Sequence, residues 1–153
     1  MKTRKNWSAA FLLLFSPLFY LACTKEDTPS PVTEQFVSWT INGVQGRLAT
    51  PIDSISQFVQ GNSTYIYGLT KPTPITAFGV AFEGVKPGTY PARYYGVFVG
   101  GKYYVPTTTP VQVIVTSYGA AGQFIEGTYS GNVKDSVTSV VFPVSGSFRV
   151  KAN

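Results

Sequence analysis

The chain has 153 residues, with twelve Lys or Arg against seven Asp or Glu, one Cys and no His. A lone cysteine excludes an internal disulfide, and the lack of His excludes Ser-His-Asp, Cys-His and ordinary zinc chemistry, whose usual base and ligand it is. Three of the twelve basic residues precede residue 23, which leaves a charge of about +2 on the remainder, too little for the many phosphate contacts of nucleic-acid binding.

The first element in chain order is a leader. Lys2, Arg4 and Lys5 give a basic start, and an apolar run from Ala9 to Phe19 follows, broken only by Ser16 and Pro17. That is the pattern of a secretory signal over residues 1–22, and the run is shorter than the ~18–20 residues of a spanning helix. Tyr20-Leu21-Ala22-Cys23 resembles the bacterial lipobox, which implies a diacylglyceryl group on Cys23 and the membrane as a partner through that lipid. Lys25, Glu26 and Asp27 resemble the export signal of Bacteroidota surface lipoproteins. The resemblance implies the outer membrane, on its cell-surface side, with the periplasmic side as the alternative. Residues 23–34, stiffened by Pro29 and Pro31, read as a tether.

From residue 35 to 153 the apolar residues recur with period two, as in Val37, Trp39 and Ile41, then Tyr65, Tyr67 and Leu69, then Phe78, Val80 and Phe82. Further strands are expected over 92–99, 102–105, 111–118, 123–130, 136–142 and 144–151. Leu48 and Leu69 are the only leucines after Cys23, and no segment carries a helical stripe. Asn42-Gly43 and Gly100-Gly101 suit two-residue hairpins, whose central positions need positive φ. Residues 50–56 and 106–110 read as exposed loops. The expectation is an all-β, antiparallel two-sheet sandwich of about nine to ten strands, with a closed barrel as the alternative.

Trp39-x-x-Asn42-Gly43, Gly88-Thr89-Tyr90, Thr116-Ser117-Tyr118, Gly127-Thr128-Tyr129-Ser130-Gly131 and Gly146-Ser147-Phe148-Arg149-Val150 follow one another in this order. The series resembles small Bacteroidota outer-membrane lipoproteins with a β-sandwich domain of unknown function. It implies fold and location, and it carries no catalytic residue.

Four acids remain for chemistry in the domain: Asp53, Glu83, Glu126 and Asp135. A carboxylate-based hydrolase would need two of them in one cleft. No Asp-rich calcium loop and no phosphate loop stands in the sequence, so neither metal nor cofactor is expected. The local concentration is Arg93-Tyr94-Tyr95, followed across a hairpin by Lys102-Tyr103-Tyr104. Tyrosine gives large contact area at small rotamer cost, so Arg93, Tyr95, Lys102 and Tyr103 are the candidate binding surface, for a glycan or a protein partner. Three functions stay open: a non-catalytic binding domain, an accessory subunit of an envelope complex, and the hydrolase.

Overall fold

The computed structural model describes residues 33–70 and 73–153; the expected signal of residues 1–22, Cys23, and Lys25, Glu26 and Asp27 lie outside them. Ten strands form, and no helix occurs among the described residues: β1 (Phe36–Ile41), β2 (Val44–Ala49), β3 (Ser54–Gln60), β4 (Ser63–Leu69), β5 (Ala77–Glu83), β6 (Gly88–Val99), β7 (Lys102–Pro106), β8 (Gln112–Tyr118), β9 (Phe124–Asp135) and β10 (Val141–Lys151). All pairings are antiparallel, in the order β2-β1-β10-β9-β7-β6-β5-β4-β3, with β8 between β6 and β9.

The path folds over on itself into a sandwich-like pair of layers. Trp39 of β1 stacks on Phe78 of β5 with centroids 6.4 Å apart, Phe78 meets Tyr129 of β9 at 5.6 Å, and Phe82 of β5 meets Phe148 of β10 at 6.5 Å. The β2-β1-β10-β9 layer thus faces the β3-β4-β5-β6 layer. The twelve-residue strands β6 and β9 close one side, because β7 bridges their C-terminal ends and β8 their N-terminal halves. Strands β2 and β3, at the two ends of the path, each pair on one side only. The core between the layers holds Val37, Leu48, Ile66, Val80, Phe82, Tyr95, Val97, Ile125 and Phe148, each no more than 1% exposed. Burying a side chain of this size contributes about 1.5–3 kcal/mol.

Both glycine hairpins form as expected. Asn42 and Gly43 have φ of 50° and 79°, and Gly100 and Gly101 have 57° and 76°, the doubly positive pair of a type I′ turn. Pro143 sits inside β10 without breaking the sheet. Its carbonyl accepts from Asn42 N, so its missing N–H points to the same side, where β1 has already turned away.

Strands β6, β9 and β10 run longer than the expected 92–99, 123–130 and 144–151, and other expected boundaries differ too. Residues 54–56, read as loop, begin β3, whose inward alternation is hidden by a polar residue: Gln57 is buried, and its side chain accepts from Asn153 N. Residues 136–140, read as strand, form a turn. The Asp135 carboxylate accepts from Val137 N at 2.8 Å and Thr138 N at 3.2 Å, Ser139 takes φ of 59°, and this local bonding outweighs β propensity. The loop after β7 starts at 107 rather than 106.

Candidate binding groove

The outer face of the β3–β6 layer follows from register. Ser56, Tyr67, Gly79 and Gly96 stand directly opposite one another across β3, β4, β5 and β6. The next rows on that face are Ser54, Leu69, Ala77, Phe98 with Tyr103, and Phe58, Tyr65, Ala81, Tyr94. The middle of the face is therefore nearly bare backbone, and the rings lean over it. A Cβ on Gly79 would come within 2.8 Å of the Tyr94 ring and 3.3 Å of Tyr67. One on Gly96 would meet the hydroxyls of Tyr103 and Tyr94 at 2.7 and 2.8 Å.

The result is a groove of about 420 Å³ with Tyr67, Tyr94, Tyr103 and Leu69 as walls and Ser54, Ser56, Ala77, Gly79 and Gly96 beneath them. Not one of its lining residues is charged. The hydroxyls of Tyr94 and Tyr103 share a hydrogen bond of 2.8 Å. Burial, with help from that bond, pushes the Tyr94 phenol up to about 12, so it stays neutral at physiological pH. Phe58 extends the aromatic strip, stacked on Tyr65 at 4.6 Å and on Tyr67 at 5.9 Å.

Of the four residues expected to form one surface, only Tyr103 lines this groove. Tyr95 is fully buried, packed edge-on to Phe78 and 5.3 Å from the Tyr129 ring, and so belongs to the core. The cause is a bulge: Ala81 pairs with Tyr94 while Phe82 pairs with Ala92, which leaves Arg93 as the extra residue. Arg93 and Tyr94 then both face solvent, and strict alternation, which would have joined Arg93 to Tyr95, fails. Arg93 pairs with Glu83 on the surface. Lys102 lies outside the groove, 3.9 Å from the carboxylate of Asp135. Tyr67 and Tyr94 are the residues that sequence reasoning missed. The signal was the opposed Gly79 and Gly96, legible only once register is known.

The acids are dispersed among separate contacts. Asp53 accepts from Ala49 N at 2.8 Å, Glu83 pairs with Arg93, Glu126 meets Arg149 at 2.9 Å, and Asp135 caps its turn. Glu34, at the end of the expected tether, pairs with Arg47 of β2 at 2.8 Å, and Arg47 also lies over the Phe36 ring. No protein-family profile, curated protein or solved structure matches the chain.

Proposed function

We propose that this chain is a lipid-anchored, non-catalytic binding protein on the cell-surface side of the outer membrane, and that the tyrosine groove holds its ligand, a neutral glycan. The observation that carries the reading is the uncharged groove in which Tyr67, Tyr94 and Tyr103 flank the bare Gly79–Gly96 floor. A sugar ring presents C–H faces that pack on aromatic rings and hydroxyls that exchange hydrogen bonds with Tyr and Ser. A charged ligand would lose hydration here and find no counter-charge. The dispersal of the acids supports binding over hydrolysis, and the Cys23 lipobox with Lys25, Glu26 and Asp27 supports the location.

Screening the protein on an array of neutral and acidic glycans, followed by calorimetry, tests this. Neutral glycans are expected to bind, and Tyr67→Ala and Tyr94→Ala each to weaken binding about tenfold, with stability changed by no more than about 1 kcal/mol. Binding confined to acidic glycans, or unaffected by both substitutions, would overturn it. Mass spectrometry of the anchored protein for acylated Cys23, with protease shaving of intact cells, tests the location.

The accessory-subunit reading is favoured by one observation, the unpaired edges of β2 and β3, which could accept a partner strand. A stoichiometric partner lost when Pro is placed in β3 would support it.

A further inference from the structure

A second recess shares no residue with the tyrosine groove. The hairpin tips Asn42-Gly43 and Gly100-Gly101 approach the start of β10, and between them lies a cleft of about 370 Å³. Its walls are apolar and aromatic: Trp39, Ile41, Val99, Tyr104 and Phe142. Tyr104 and Phe142 hold each other edge to face at 6.1 Å, and Trp39 is fixed by its stack on Phe78. A recess walled by apolar and aromatic residues with a few polar groups is the usual form of a small-molecule site.

One charged residue, Lys102, lines this cleft. Its ammonium lies 3.9 Å from Asp135, beyond hydrogen-bond length, and is well exposed. Asp135 Oδ1 accepts from Val137 N and Thr138 N while Oδ2 faces the ammonium without hydrogen-bonding it, so the Lys102 N–H donors are open to a second anion. We infer that this cleft binds a small amphipathic carboxylate, with its hydrocarbon body against Trp39, Tyr104 and Phe142 and its acid group at Lys102.

Trp39 is one of two tryptophans in the sequence, and the other, Trp7, lies in the leader. The full chain carrying Trp7→Phe, reconstituted in lipid nanodiscs, therefore reports on the cleft through its single indole. Octanoate, octanol and octylammonium share a tail and differ in head group. Octanoate is expected to change Trp39 emission saturably and to bind more tightly than either of the others. Lys102→Gln should weaken octanoate by about two- to fivefold, the range an exposed ion pair supports, and leave octanol unchanged. Val44→Phe should abolish all binding by filling the mouth, since Val44 lines the cleft while 71% exposed, and its substitution leaves the core intact. A non-saturable response, equal affinity for octylammonium and octanoate, or undiminished binding in Val44→Phe would overturn the inference.

Discussion

Large rings lie directly opposite glycines on both faces of the sheet, with different results. Inside, Trp39 opposes Gly46, Phe148 opposes Gly127 and Tyr129 opposes Gly146; outside, Tyr67 opposes Gly79. On the inner face a Cβ on each glycine would collide with the opposed ring, and on the outer face a Cβ on Gly79 would lie tight against Tyr67 at 3.3 Å. The inner rings are then sealed by the facing layer, as Tyr129 shows: the rings of Phe78 and Tyr95 cover it at 5.6 and 5.3 Å, and within its own layer its hydroxyl donates to Ser38 O at 2.6 Å. Nothing among the described residues seals Tyr67, which stays 37% exposed. The same local pairing yields core in one place and a solvent-facing ring in the other. What differs is whether a second layer stands above it.

The largest test of that contrast is truncation of an inner ring. Phe82→Ala removes a fully buried side chain and should cost about 3–5 kcal/mol in urea unfolding. A loss below about 1 kcal/mol would mean that the two layers do not pack as described. Tyr129→Phe keeps the ring and deletes one hydroxyl, leaving Ser38 O short of a donor, and should cost about 1–3 kcal/mol. Removing Tyr94 from the outer face is expected to cost no more than about 1 kcal/mol by the same measurement. Tyr95→Phe should be neutral or slightly stabilising. The Tyr95 hydroxyl is buried beside that of Tyr129 and makes no hydrogen bond of good geometry, so its loss removes a poorly compensated desolvation.

The smallest effect expected is a pH dependence. Tyr94 has its folded pKa raised from 10.0 to about 12, chiefly by burial. A raised pKa favours the protonated, folded form, so this contribution is complete below about pH 10 and fades as pH climbs toward 12. Its size is small because the ring is partly in water. Alkaline titration by tyrosinate absorbance should show a late-ionising tyrosine that Tyr94→Phe removes; an unchanged curve would assign the late titration to the inner tyrosines alone, whose burial also raises them.

Much of the fold was legible because its carrier, period-two alternation with glycine turns, is local. Val37, Trp39 and Ile41 announced β1, and Asn42-Gly43 announced its hairpin. The errors have local causes too. Edge strand β3 was obscured because its inward Gln57 breaks the apolar alternation, and residues 136–140 because the Asp135 cap overrides Val and Thr propensity. The site was less legible. Tyr103 was found as part of an aromatic hairpin, whereas Tyr95 was placed outside because one bulge at Arg93 reverses the faces of everything before it.

Composition and order alone determined the absence of disulfide and histidine chemistry, the all-β class and the turns, since each depends on residue type or on neighbours a few positions away. Only the tertiary structure decided which tyrosines face water, that Gly79 and Gly96 come together as a floor, and that two hairpin tips enclose the Trp39 cleft. Those outcomes depend on register between strands distant in sequence, and a shift of one residue exchanges the two faces of a strand.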